Sequence, residues 1–277
     1  MKYDPIKRSL GNIFNKTPFL RKVFYRMLDL LLLRTWHVKR ELKRFGKANK
    51  HEIQVLDAGS GFGQYDYFMA RKFKNWKIRA VDVKEEQIAD CKRFFERIGK
   101  KKVHFEYADL VQFDEQDKYD LILSVDVMEH IEEDVKVFEN FNRALKKDGM
   151  LLVSTPSDQG GSDVHDHDHD VTYNNDGTCS FIDEHVRDGY NIEEIQEKLK
   201  SAGFRKTEAR YQYGKPGKIS WRISMKYPIL MLNASKLFFI MLPFYYLLMF
   251  PLSLILNKID VNTRHETGTG LIVKAWK

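Results

Sequence analysis

The chain has 277 residues, of which 43% are hydrophobic and 31% charged, enough to fill one large domain or two small ones. Its two cysteines, Cys91 and Cys179, form neither a disulfide framework nor a CxxC pattern, which favours a reducing compartment. The first sixteen residues lack the continuous apolar core and small-residue cleavage site of an export signal, so none is expected.

The net charge of +7 combines segments of opposite sign. Residues 1–50 carry a net charge of +11 and residues 214–265 of +6, whereas the rest of the chain sums to −10. Both basic regions are also rich in apolar residues. Nucleic acid is one class of partner for basic surface, but Lys and Arg interleaved with apolar runs fit an anionic lipid surface better.

Residues 17–45 have the pattern of one long amphipathic helix or two shorter ones. Thr17 is an N-cap, and Pro18 follows it in the first turn. Apolar residues then recur at three- and four-residue spacing between Lys and Arg residues. We interpret residues 1–50 as a basic amphipathic helical extension.

From residue 51 onward, short apolar strands alternate with helices. Strands are predicted in IQVLDAG, KIRAVDV, VHFEYADL, YDLILSV, GMLLVST, KTEARYQYG and TGTGLIVKAWK. Helices are predicted between them, including EEQIADCKRFFERIG and NIEEIQEKLKSAGF. This alternation predicts an α/β fold with a doubly wound, mostly parallel sheet and a ligand at the carboxyl ends of its strands.

The stretch VLDAGSGFG predicts a binding site for a nucleoside. It places Asp57 at a strand end and Gly59, Gly61 and Gly63 in a tight turn, where a Cβ atom would hold a ligand away from the backbone. The next strand ends at Asp82, whose carboxylate can accept hydrogen bonds from both ribose hydroxyls.

The glycine spacing, D-x-G-x-G-x-G, differs from the GxGxxG of a dinucleotide site. With AVDV, YADL, YDLILSVDVMEHIEED and LKKDGMLLVSTPS in that order, the chain resembles the class I S-adenosylmethionine-dependent methyltransferases over residues 51–156. HVRDGYNIEEIQEKLKSAGF extends the similarity to residue 213. The resemblance implies a seven-stranded sheet whose last strand is antiparallel, with a core at 51–213 completed by 266–277.

By that resemblance, twelve residues would form a site for S-adenosylmethionine. The methionine and ribose would meet Asp57, Gly59, Ser60, Gly61, Gly63 and Asp82. The adenine would meet Val83, Asp109 and Leu110. The reactive methyl would point towards Val125, Asp126 and His130. For Asp57 and Asp109 the alternative is a role in capping turns.

Methyl transfer from a sulfonium is an in-line displacement, so alignment of the reactants should provide most of the acceleration. A base is needed only when the nucleophile must lose a proton. His130 is the first candidate, because it follows the fourth strand and an imidazole titrates near neutral pH. The alternative is that His130 only packs over the cofactor.

The run VHDHDHD holds a second candidate base, His167. In an extended strand His165, His167 and His169 share one side, where they could instead bind a metal. A solvated loop is the alternative, and no metal is expected. His185 and Arg187 are candidates for binding an acidic group.

The stretch LFFIMLPFYYLLMFPLSLIL, residues 237–256, has no charged residue. It lies between the predicted sixth and seventh strands, which are neighbours, so a single membrane pass would separate them. Two passes need about forty apolar residues, more than residues 227–257 supply. A shallow helical hairpin in one leaflet, a lid over the site or a dimer interface remain. Flanking basic and aromatic residues favour the leaflet.

We therefore expect a methyltransferase for an O, N or C atom of a hydrophobic or lipid-like small molecule. It would be cytoplasmic and peripheral to the inner face of the membrane, through residues 214–265 as a docking or lid insertion, with no nucleic-acid partner. The alternatives are a non-catalytic S-adenosylmethionine-binding membrane adaptor or assembly subunit, and an NAD(P)-dependent Rossmann oxidoreductase. The acceptor and the oligomeric state are not specified by the sequence.

Overall fold

A computed structural model describes residues 17–160, 186–235 and 238–277. In these ranges a seven-stranded sheet has the order β3-β2-β1-β4-β5-β7-β6. Its strands are β1 (Ile53–Ala58), β2 (Trp76–Asp82), β3 (Val103–Tyr107), β4 (Tyr119–Val125), β5 (Leu145–Pro156), β6 (Lys206–Gln212) and β7 (Gly270–Trp276). Strands β1 to β5 are parallel, and β7 is antiparallel to both neighbours, β5 and β6. The predicted doubly wound sheet is confirmed.

Helices cover both faces of the sheet. They are α1 (Pro18–Leu31), α2 (Leu33–Ala48), α3 (Gln64–Lys72), α4 (Glu85–Arg97), α5 (Asp134–Ala144), α6 (Ile192–Ser201), α7 (Lys215–Trp221), α8 (Tyr227–Ala234) and α9 (Phe238–Asn262). Thr17 caps α1 by accepting from the Leu20 N–H, and Asn191 caps α6 by accepting from the Glu194 N–H. Both N-caps were predicted from the sequence.

The strands of the sheet divide their side chains between two apolar cores, because successive residues of a strand point to opposite faces. Val55 of β1 and Leu121 of β4 are buried on the face covered by α2, α3 and α4. Leu56 and Ile122, one residue later, are buried on the face covered by α5 and α6. The carboxyl ends of the parallel strands are thereby held together at one edge.

The helical N-terminal extension packs against the sheet as two helices, α1 and α2, which we call the N-terminal strap. They are separated at Leu32, which is extended and donates its N–H to the Leu28 carbonyl. Val38 and Leu42 of α2 are completely buried in the core. In contrast, Phe19 of α1 is 73% exposed.

Residues 215–235 and 238–262 form the two arms of a helical hairpin between β6 and β7. Its first arm contains α7, a π-helical turn (Arg222–Lys226) and α8, and its second arm is α9. The two arms run antiparallel and are joined by four hydrogen bonds. These are Gly217 N–H to Asp260, Ser220 to Ser253, Tyr245 O–H to Ile223 C=O and Tyr246 O–H to Ser224 C=O. A π turn shifts the backbone pairing, and the two tyrosine hydroxyls donate to carbonyls of that turn.

Helix α9 presents an apolar face to solvent along its whole length. It is long and apolar enough to cross a bilayer by length and composition, with a mean hydropathy of 2.1 and only 6% of the apolar window buried. Large side chains are exposed at Phe239, Ile240, Met241, Phe244, Leu247, Leu248, Leu252, Ile255 and Ile259. The opposite face, with Ser253, Asn257 and Asp260, is buried against the protein.

Candidate active site

The glycine turn joins β1 to α3 with three left-handed residues. Gly59, Gly61 and Gly63 have φ angles of 86°, 51° and 72°, a region that glycine enters without steric cost. A Cβ atom at Gly59 would overlap the side chain of Val127, and one at Gly63 would lie 3.1 Å from Phe95. The nearest atom to a Cβ atom at Gly61 would be Gln87 Oε1, 3.9 Å away, so this residue borders open space. Two glycines are thus required by packing, and the third leaves the backbone accessible.

Asp82 closes one side of this turn. Its Oδ2 accepts a hydrogen bond from the Gly61 N–H at 2.9 Å, and its Oδ1 accepts from the Lys84 N–H at 2.9 Å. Each carboxylate oxygen retains a second lone pair, so the group can also accept from hydroxyls of a ribose. The structure therefore connects the two features that predicted a nucleoside site.

The residues predicted for the adenine lie at the carboxyl ends of β2 and β3. Val83 is 54% exposed beside Asp82, as a residue packing on a ring would be. Asp109 accepts from the Val111 N–H at 2.9 Å, which is the capping role considered as its alternative. Leu110 is buried in the core, so its side chain contributes to packing.

Asp57 forms a buried acidic pair with Asp66, a residue that the sequence did not single out. Asp57 is 2% exposed and Asp66 is fully buried. The Asp57 Oδ2 and both oxygens of Asp66 have no hydrogen-bond donor. Burial raises the pKa of Asp57 to about 7 and the pKa of Asp66 well above its usual range, and their proximity adds to the shift of Asp66. The two groups can hydrogen-bond to each other only when one is protonated.

The residues predicted for the methyl side lie at the carboxyl end of β4, beside β1. Asp126 has a left-handed backbone (φ 52°) and donates its N–H to the Ser154 carbonyl at 2.8 Å. Its carboxylate forms an ion pair with Arg34 of α2. Val125 precedes it, and a short 3₁₀ turn carries His130 to the same edge. The structure therefore brings together the three residues predicted for the methyl side.

Glu129 is a further acidic residue of this edge that the sequence analysis missed. Its side chain is 1% exposed and accepts a hydrogen bond from the Thr155 hydroxyl at 3.1 Å. Burial raises the pKa of Glu129, and the nearby His130 and Arg34 partly oppose that shift. The available signal was an acid directly before the candidate base.

Of the remaining sequence candidates, the structure describes Arg187 and not the histidines. His165, His167, His169 and His185 lie outside the described residues. Arg187 donates to Asp134, to the Tyr190 hydroxyl at 2.8 Å and to the Ile131 carbonyl at 2.7 Å. Its guanidinium therefore anchors the chain to the start of α5, and its role in binding an acidic group stays a prediction.

No metal site is evident in the part of the chain that the structure describes. Within residues 17–160, 186–235 and 238–277, no three His, Cys, Asp or Glu side chains form a group that could hold an ion. The histidine run itself is not among these residues.

The N-terminal strap covers the glycine turn, which the sequence did not predict. Arg21 Nη2 donates to the Phe62 carbonyl at 2.9 Å, and the Tyr25 hydroxyl donates to the same oxygen. On the other side of the turn, Gln64 Nε2 donates to Asp29 at 2.8 Å. The turn is therefore enclosed between the sheet and the strap.

The chain is similar to known methyltransferases over its central part. A family model described as "Methyltransferase domain" matches residues 49–203, more than half of the chain. A malonyl-[acyl-carrier protein] O-methyltransferase from Ilyobacter polytropus is 28% identical over 120 residues, 43% of this chain and 45% of that protein. A phosphoethanolamine N-methyltransferase from Triticum aestivum is 32% identical over 41% of this chain and 25% of its own length. This chain thus matches less than half the length of these relatives.

Solved structures share the fold. A putative sarcosine dimethylglycine methyltransferase from Galdieria sulphuraria superposes with a TM-score of 0.54 and 17% identity, over 88% of this chain and 84% of that chain. A phosphoethanolamine N-methyltransferase from Haemonchus contortus, in complex with S-adenosyl-L-methionine, superposes with a TM-score of 0.57 and 20% identity, over 85% and 51% of the two chains. At these identities the likeness concerns the fold.

Proposed function

Since this chain belongs to the family of class I S-adenosylmethionine-dependent methyltransferases, we propose that it methylates a hydrophobic or lipid-like acceptor at a membrane surface. The observation that supports a membrane surface as the place of reaction is the exposed apolar face of α9. Isolated exposed apolar residues are ordinary, but a contiguous stripe along 25 residues is typical of an interaction surface.

The residues at the site fit the cofactor, and different residues would bind the cofactor and orient the acceptor. S-adenosylmethionine, when bound, supplies a methyl group activated on a sulfonium. Asp82 and the open Gly61 backbone would hold the sugar, and the Asp57 Oδ2 that lacks a donor could accept from an ammonium group. Asp126 and His130 would orient the acceptor, and a ring nitrogen of His130 would take its proton where one must leave.

Several features favour shallow insertion of the hairpin into one leaflet. The apolar part of its first arm is α8, whose eight residues extend about 12 Å, less than half of the ~30 Å hydrocarbon core. The turn before α8 carries Arg222 and Lys226, and Trp221 and Tyr227 are partly exposed beside them. Aromatic and basic side chains of this kind prefer the interface between hydrocarbon and water.

The topology of the sheet supports the same arrangement. The hairpin leaves after β6 and returns at β7, and these strands are paired along seven residues. Both arms must therefore return to one side of a bilayer. A hairpin inserted from that side satisfies this constraint, whereas a single crossing by α9 does not.

Flotation with vesicles tests the membrane surface. The probe is a vesicle of phosphatidylcholine and phosphatidylglycerol at a ratio of about 7:3, chosen because anionic lipids attract basic surfaces. The wild type is expected to float, and a variant with Leu247→Glu and Leu248→Glu, at positions 74% and 71% exposed, is expected to stay in the dense fraction. A control with His104→Glu and Gln116→Glu places two glutamates at exposed positions outside the hairpin and should float.

The same proteins test the alternatives. Flotation of all three proteins would contradict docking through α9. A wild type that does not float and is a dimer, together with a Leu247→Glu, Leu248→Glu variant that is a monomer, would contradict it too and would show a dimer interface instead. To test catalysis, the wild type is incubated with methyl-labelled S-adenosylmethionine and a membrane lipid extract. Label in the lipid fraction is expected, and an adaptor that binds the cofactor without turnover would label nothing.

A further inference from the structure

We infer that His37 and Asp260 are positioning residues for the cofactor site, because they join the N-terminal strap over the glycine turn to the helical hairpin. The inference rests on the proposed cofactor site and goes beyond it. It assigns a role to a buried pair that lies outside the catalytic edge.

The strap is attached to the site at two places. The first is the glycine turn, through the bonds of Arg21 and Tyr25 to the Phe62 carbonyl. The second is the tip of β4, through the ion pair of Arg34 with Asp126. The Arg34 backbone N–H also donates to the Tyr213 hydroxyl at 2.9 Å. A ligand between the glycine turn and β4 would therefore be enclosed by the strap.

The strap has its third attachment at the base of the hairpin, one helical turn after Arg34. His37 Nε2 lies 2.9 Å from Asp260 Oδ1, and both side chains are at most 1% exposed. Arg40, on the next turn of the strap, donates to the Val261 carbonyl. Because His37 and Arg34 are on the same helix, a shift of the hairpin base would move the residue that contacts Asp126.

Asp260 is also held by groups that do not belong to the strap. The Gly217 N–H donates to its Oδ2 at 3.0 Å, and His265 Nε2 lies 3.1 Å from the same oxygen. His265 is on the connection from α9 to β7. It contacts the same carboxylate as His37 from outside the strap, and this provides a matched control.

The helix break at Leu32 is where the strap can open. Leu32 is extended between α1 and α2, so rotation about one residue would lift α1, with its buried Tyr25, from the glycine turn while α2 stays in the core. The tie of α2 to the hairpin fixes the position from which α1 closes. Loss of that tie should raise the population of the open strap.

Two measurements on the full chain test the inference. Hydrogen–deuterium exchange of residues 18–35 is followed in the ligand-free protein, and the dissociation rate of S-adenosylhomocysteine is measured by stopped flow. His37→Gln is expected to speed both by about tenfold, within the usual range of coupling between sites. His265→Gln should leave both close to the wild type. Equal effects of the two variants would overturn the inference, because Asp260 would then act only through general stability.

A milder variant keeps the test decisive if the buried substitution His37→Gln prevents folding. Arg40→Gln removes a second bond between strap and hairpin at a half-buried position, and it should change exchange and dissociation in the same direction as His37→Gln. Unchanged exchange in Arg40→Gln together with unfolded His37→Gln would also overturn the inference. If the wild type failed to bind S-adenosylhomocysteine, the proposed function would fail, whereas the exchange data would still decide the role of His37.

Discussion

The acidic pair Asp57 and Asp66 should make the stability of this protein depend on pH in an unusual direction. In the unfolded chain an aspartate has a pKa of about 3.9, whereas burial raises the pKa of Asp57 in the folded protein to about 7. Between these values the folded state keeps a proton that the unfolded state has lost. Its stabilising contribution is therefore complete below about pH 4 and is lost as the pH rises towards 7.

The magnitude follows from the width of this interval. One retained proton lowers the free energy of unfolding by about 1.4 kcal/mol per pH unit, or at most about 4 kcal/mol between pH 4 and pH 7. Asp66→Asn replaces one carboxyl by an amide whose N–H can donate to Asp57. Because the pKa of Asp66 is itself raised well above its usual range, the folded variant retains one proton fewer than the wild type and loses less stability towards neutral pH.

Urea unfolding at several pH values between 5 and 7.5 measures this effect. The difference in unfolding free energy between Asp66→Asn and the wild type should increase with pH by up to about 3.5 kcal/mol over these 2.5 pH units. Asp114→Asn, at a side chain that is 86% exposed, removes a carboxyl from the surface and should run parallel to the wild type. A constant difference for Asp66→Asn across this range would refute the shared proton.

Two further predictions concern single residues. Gly59→Ala should abolish binding of S-adenosylhomocysteine in calorimetry, because its Cβ atom would overlap the side chain of Val127. The control is Gly99→Ala, at a residue with a similar left-handed backbone and no atom within 4 Å of the added Cβ. This control should bind normally and lose about 1 to 2 kcal/mol of stability. Asn191→Ala removes the cap of α6 and should lower the unfolding free energy by about 1 kcal/mol in urea without changing that affinity; a loss of affinity would place α6 in the site instead.

The sheet was predictable because its signals are local. Each strand is a short apolar run, and Asn191 or Thr17 marks a helix start through a hydrogen bond to a residue three positions later. The glycine turn and Asp82 were also readable, since the geometry required there excludes most other residue types. One boundary was displaced, because β5 begins at Leu145, whereas the predicted strand GMLLVST begins at Gly149.

The contacts that enclose the site were not predictable, because they join residues far apart in the chain. Arg34 meets Asp126, and His37 meets Asp260, across sequence separations that no periodicity reveals. Asp66 looks like an ordinary acid in the first turn of a helix, and only the fold shows that it is buried against Asp57. Glu129 was overlooked for the same reason.

The place of β7 in the sheet has a consequence for the order of events during synthesis. Because β7 lies between β5 and β6 but follows the hairpin in the chain, the ribosome makes α7, α8 and α9 while those two strands still lack their common partner. The nascent chain then exposes the unpaired edges of β5 and β6 together with the apolar helix α9. Early contact of that helix with lipid would shield it from aggregation until the final strand closes the gap.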